Sequence, residues 1–234
     1  MSFINQDRLK AYAKAHGQKN VKQDQYVSDE LDSTLHGEKD LLENKQIKKV
    51  VPHILFKDFW NTYGILGPLR DDDPKKRYSR GRKIYVDFGT GNIGKEASLP
   101  HPAFVLMNMA QTVIVVPTHS DEDAKAEAYS EEVKKATIWC PKDGVIFPKD
   151  TTINMYDIRS VSKHRVINDL KCDAEDYIMP DDAVKKLNQL SGEKDLFPYG
   201  VDLKTVLQLK VMELFAPGIL KELKDLRNKS NQDD

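Results

Sequence analysis

The sequence predicts an α+β protein: a helical N-terminal region, then a small antiparallel β-barrel or sandwich, then C-terminal helices. Three observations predict it. Short apolar or alternating runs crowd residues 83–162, and Gly, Pro, Asn and Asp separate them, as in small antiparallel sheets. No helical pattern of crossover length lies between those runs, which argues against a parallel sheet. Apolar residues recur at helical spacing before and after them.

Residues 1–78 read as a helical extension. Within it, 17–30, with Gly17, Asn20, Gln23 and Gln25, reads as a polar linker. The run "EKDLLENKQIKKVV" is weakly amphipathic. Pro52 then opens a segment with Ile54, Leu55, Phe59, Trp60 and Tyr63 on one face. Proline suits a first helical position, because its missing N–H would be unpaired there. Gly64 and Gly67-Pro68 stop that helix. The strand candidates are "KIYVDF" from Lys83, "AFVLM" from Ala103, "TVIVVP" from Thr112, "TIWCP" from Thr137, "GVIFP" from Gly144 and "NMYDIRSVS" from Asn154. Ala183, Val184, Leu187 and Leu190 mark a helix closed by Gly192. Leu203, Leu207, Val211 and Leu214 mark another, ended by Pro217-Gly218. Residues 219–234 form a polar tail.

Among 234 residues, 36 Lys and Arg stand against 37 Asp and Glu, a net charge of −1. A protein that coats duplex DNA needs a strong basic excess, and this chain has none. The length suits one domain with substantial additions, or two small ones. No apolar stretch has signal-peptide length or approaches the ~18 residues of a membrane span. A cytoplasmic protein away from membranes is expected. Cys140 and Cys172 are the only cysteines, too few for a disulfide framework or a cysteine zinc site. They are expected as free thiols, and neither metal nor cofactor is expected.

The stretch "IYVDFGTGNIGKEAS" holds two nucleotide-binding patterns. Gly89, Gly94 and Lys95 satisfy the core of a phosphate-cradling loop, and Gly89, Gly91 and Gly94 satisfy the dinucleotide fingerprint. Both need a helix directly afterwards, whose N-terminus supplies amides to the phosphates. Here "KEASLPHPAF" follows, and Pro100 and Pro102 forbid it. Glu96 occupies the position of a magnesium-binding hydroxyl and would repel phosphate.

What remains is strand, glycine loop, Glu, "HP" and an apolar strand. "RGRKIYVDFGTGNIGKEASLPHPAFVL" resembles the opening of the MazF/PemK family of toxin endoribonucleases. "TVIVVPTHS" is similar to that family's strand ending in P-I-T-S. "NMYDIRSVSKHRV" is similar to its Q-I-R-T-I-D-K-x-R-L segment, and residues 203–215 resemble its terminal helix. The four blocks keep family order over roughly residues 80–216. The resemblance implies an SH3-like barrel at 79–218, with 172–200 as an insertion. It also implies a homodimer that cuts single-stranded RNA without metal and is silenced by an antitoxin protein. Gyrase-binding relatives with a similar barrel leave open a toxin that inhibits a protein target, and a non-catalytic RNA-binding barrel is a third possibility.

Metal-free RNA cleavage needs a proton acceptor for the 2′-hydroxyl, a donor for the leaving oxygen, and charge on the phosphorane. The family's Arg and Thr positions are here His101 and His119, the latter followed by Ser120. An imidazole titrates near pH ~6.5 and can take either role. The alternative is a repurposed barrel with ordinary surface histidines. Glu96 matches the family's loop glutamate, for proton transfer or for holding a base. Arg159 matches the Arg of Q-I-R, as a phosphate contact or a structural brace. His164 reads as merely exposed. "KKRYSRGRK" packs six basic residues into nine around Tyr78, which suits either a single strand of RNA or a solvated linker. Arg82, Lys95, Tyr156, Arg159 and Lys163 are the expected RNA-binding residues.

The failed loop motifs generate one prediction. ATP and GTP should show no saturable binding in calorimetry. A low-micromolar dissociation constant would contradict the reading of Glu96 and the two prolines.

Overall fold

The computed structural model describes residues 6–16, 20–47, 50–51, 53–55, 57–58, 77–89, 100–120, 130–193 and 195–222. The chain divides into two compact units, Met1–Lys57 and Asp58–Asp234.

In the first unit, helix α1 (Gln6–His16) and helix α2 (Gln25–Glu43) flank a 3-10 turn at Val21–Gln23. The linker expected at 17–30 is therefore corrected from residue 25 onward. Asp24 supplies the reason: its carboxylate accepts the Val27 N–H and caps α2. It also accepts the Tyr12 hydroxyl at 2.9 Å, and Tyr12 packs edge-on against Tyr26 at 4.8 Å. Later in this unit Glu38 meets His53 at 2.8 Å and Lys57 at 3.2 Å. Phe59, Trp60 and Tyr63 lie outside the described residues.

Among the described residues the second unit holds seven strands: β1 (Arg82–Asp87), β2 (Pro100–Asn108), β3 (Thr112–Ser120), β4 (Thr137–Cys140), β5 (Thr151–Asn154), β6 (Arg159–Ser162) and β7 (Val166–Asp173). All pairings are antiparallel, in the order β4-β5-β3-β2-β1-β7, and β6 pairs with the first half of β3. Helices α3 (Glu131–Lys135), α4 (Asp181–Ser191) and α5 (Leu203–Phe215) complete an α+β fold, as the sequence predicts. Gly192 closes α4 in the left-handed region at φ 72°.

Strands β6 and β7 flank β3-β2-β1 on opposite sides, yet the three-residue turn Lys163–Arg165 joins them. Four peptide steps reach at most about 14 Å, so the sheet must curl until its edges meet, giving it barrel-like curvature. Lys163 fastens that seam. Its N–H donates to the Gln111 carbonyl at 3.0 Å, and its Nζ donates to the Ala110 carbonyl at 3.3 Å. Arg165 Nη1 donates to the Phe88 carbonyl at 3.4 Å.

Two apolar clusters follow from the period of two. Ile84, Val86, Phe88, Ala103, Val105, Val113, Val115, Val161 and Val166 fill the inner face. Phe104, Val116, Ile138 and Ile153 point the other way, against Tyr177, Met179, Val184, Leu187, Phe197 and Leu203. Burial on both faces explains why "AFVLM" and "TVIVV" are unbroken apolar runs. Residues 172–200 supply much of this second core. Asn188 pins their loop by donating to the Phe197 carbonyl at 2.8 Å and accepting the Phe197 N–H at 2.9 Å.

Three expected strands are corrected. "GVIFP" is a turn, because the Asp143 carboxylate accepts the N–H groups of Val145, Ile146 and Phe147. "NMYDIRSVS" is broken by a 3-10 turn at Met155–Asp157. "AFVLM" begins earlier, since Pro100 and His101 already pair with β1. Of the loop expected at Gly89–Pro102, residues 90–99 lie outside the described residues. Among the described residues, no helix is long and apolar enough to cross a membrane.

Arg82 ties β1 to β7, with Nε 2.8 Å from Asp169 and Nη1 2.7 Å from Asp173. Across this seam β7 carries three extra residues, Ile167 at one register shift and Leu170 and Lys171 at another, and Lys171 takes φ 55°. Burial alone would raise the Asp169 carboxyl, yet hydrogen bonds from Arg82 and the Lys171 amide leave it below its ordinary range. A carboxyl lowered by folding stabilises fully above about pH 4, and that contribution is lost as pH falls through the folded value. Arg82→Met should therefore lose about 1–3 kcal/mol at pH 7 in urea unfolding, with a deficit that shrinks in acid. A deficit unchanged down to about pH 2 would contradict the linkage.

Candidate active site

The site forms where β2 starts and β3 ends. His101 pairs with Val86 of β1, while Ala103 pairs with Pro117 of β3. Continuing that register by two residues sets His101 across from His119. The two imidazoles meet with ring centroids 4.9 Å apart and planes inclined at 54°. Alternation places His101 on the face of Ala103 and Val105, and His119 on the face of Val113 and Val115. Both rings are half-buried, so they cap one end of the inner core. Behind them, the Thr152 hydroxyl donates to the His119 carbonyl at 3.4 Å.

The other expected site residues are dispersed. Ser120 is exposed at the end of β3, opposite Thr151. Tyr156 is exposed in the Met155–Asp157 turn. Arg159 forms an ion pair with Asp157 and lies over the Phe88 ring at 5.4 Å. Arg82 is held by two carboxylates, and Lys163 has no exposed surface. Lys95 and Glu96 lie outside the described residues. His164 is half-buried, and its N–H donates to the Ser162 hydroxyl.

Of the basic run at 75–83, Lys75 and Lys76 lie outside the described residues, Arg77 and Arg80 are exposed, and Lys83 is buried. Tyr78 is buried in the inner cluster, so its ring is not an exposed stacking surface. Arg80 Nε donates to the Leu106 carbonyl at 3.1 Å. Lys83 is buried on the outer face, its Nζ donating to the Ile146 carbonyl and lying 4.7 Å over the Phe147 ring. Burial lowers its pKa. In the sequence Lys83 reads as one more charge of the basic run, and only its place at the head of the apolar strand "KIYVDF" signals burial.

No family model matches the chain, and no curated protein matches it. Among the solved structures that resemble it is a crystal structure (Form-I) of MazF from Deinococcus radiodurans. The two are 18% identical with a TM-score of 0.32, over 49% of this chain and 96% of that one. A likeness of this depth carries no argument about activity, so the chemistry rests on the site itself.

Among the described residues, no three His, Cys, Asp or Glu side chains gather as a metal site. The pair offers two imidazoles with ring centroids 4.9 Å apart. One neutral ring can accept a proton while the other, charged, donates one.

Proposed function

We propose that this chain is a toxin-like endoribonuclease that cleaves single-stranded RNA without a metal, through His101 and His119. The observation that carries the proposal is the 4.9 Å contact of the two rings at the end of the inner core. The neutral imidazole takes the 2′-hydroxyl proton, and O2′ forms a bond to the adjacent phosphorus. The bond from phosphorus to the 5′-oxygen breaks, and the charged imidazole gives its proton to that oxygen. The products are a 2′,3′-cyclic phosphate and a 5′-hydroxyl, and the two rings have exchanged protonation states.

Ser120, exposed beside His119, offers a hydroxyl to a phosphate oxygen. Lys95 adds positive charge, Glu96 holds the base, and the exposed Tyr156 ring offers a base a stacking surface. Arg159 braces this end through Asp157. Arg82 and Lys163, engaged in the strand seams, take no part. Besides RNA, the proposal includes a second copy and an antitoxin protein as partners.

One observation favours a second reading, a barrel that acts on a protein target. An apolar groove of about 480 Å³ lies along α5, lined by Leu106, Met107, Ile114, Leu207, Val211 and Phe215. An exposed surface of that character suits a protein partner.

Rates across pH decide between them. Cleavage that needs one neutral and one charged imidazole should give a bell-shaped profile with both limbs between about pH 5 and 8. His101→Ala and His119→Ala should each lose on the order of 10²–10⁴ in rate. His101→Arg keeps positive charge and should flatten the limb that His101 contributes. Alanine variants that cut RNA at the wild-type rate would overturn the assignment.

A further inference from the structure

We infer that Thr118 is the positioning residue that holds the two imidazoles opposite each other. The inference rests on the proposed acid–base roles of His101 and His119, but its geometric part can be tested without RNA. Three prolines sit at this end of the sheet: Pro100 and Pro102 in β2, and Pro117 in β3. In an antiparallel ladder, pairs that exchange both hydrogen bonds alternate with pairs that exchange none. The Val105 carbonyl accepts the Gly81 N–H on the β1 side, and the Pro102 carbonyl faces Thr118, so the exchanging pair here is Pro102 with Thr118. One of its two donors is the Pro102 nitrogen, which has no hydrogen to give. The β2–β3 register accordingly runs from Asn108 only to Ala103, two residues short of His101.

Thr118 supplies a donor at that point. Its hydroxyl donates to the Pro102 carbonyl at 3.1 Å, joining the residue after His101 to the residue before His119. Its side chain is 3% exposed, so water does not replace this bond. The β-branch leaves few rotamers, which aims the hydroxyl. On its other side Thr118 pairs with Ile153 of β5, so the clamp is anchored to the outer sheet as well. Without it, the first residues of β2 are tied to β3 by a depleted ladder, and the ring contact loosens.

Thr118→Val keeps the shape and removes the donor, and Thr118→Ser keeps the donor and removes only a methyl group. Proton NMR on the full chain reads the ring-to-ring contact of His101 and His119, with the Val105–Val115 contact of the same strands as a fold control. The expected result is loss of the ring contact in T118V with the control contact kept, and retention of both in T118S. Single-turnover RNA cleavage by T118V should fall about 10- to 100-fold and return in T118S. If T118V does not fold, Thr118→Ala replaces it under the same outcomes. A folded variant without the hydroxyl that keeps the ring contact overturns the inference, as does a T118S that loses it. Ring contact that follows the hydroxyl while the wild type cuts no RNA upholds the positioning role and removes the ribonuclease reading.

Discussion

Strand β3 is shared between two groups of strands, and β2, β5 and β6 take their places directly from it. One edge of β3 runs along β2. The other is divided: Thr112–Val115 pairs with β6, and Thr118–Ser120 pairs with β5. Pro117 stands at the changeover. It has no N–H, so leaving it between partners strands no donor. The first half of β3 closes the curled inner sheet through β6 and the Lys163 seam. The second half carries the outer sheet and brings His119 to the end of the inner core. The site is thus set by the same division that makes the fold.

The inner and outer cores explain which parts of the fold are legible in the sequence. Strands β1, β2 and β3 are buried on both faces, so their apolar runs are dense and bounded by glycine and proline. Helices α4 and α5 keep their apolar stripes, and Gly192 and Pro217 mark their ends. β7 is different. Its sequence "VINDLKCD" has Asn168, Asp169, Lys171 and Asp173 where alternation should show, because it is an edge strand paired only with β1. Its two acids hold Arg82. The turn at Gly144–Phe147 reads as a strand because Ile146 and Phe147 are core residues presented by a loop that Asp143 folds.

Charged residues are the least legible, for a physical reason. Arg82 and its carboxylate partners are 87 and 91 residues apart in the chain, so no local pattern shows that the guanidinium is held. Lys83 and Lys163 look like surface cations, yet each finds a carbonyl inside the fold, and the stems of long basic side chains pack well against apolar walls. The histidine pair is the opposite case. Its members are separated by a hairpin, and the β2–β3 register brings them together. The sequence offers them as two separate histidines, and only the register makes them a pair.

The central claim is that two imidazoles in contact, rather than a bound metal, move the protons of RNA cleavage. End-group analysis of a long single-stranded RNA, incubated with the full chain in excess EDTA, tests it most directly. The account predicts fragments ending in 2′,3′-cyclic phosphate and beginning with 5′-hydroxyl, at a rate EDTA does not change. Intact RNA in the presence of folded protein, or fragments beginning with 5′-phosphate, would contradict it.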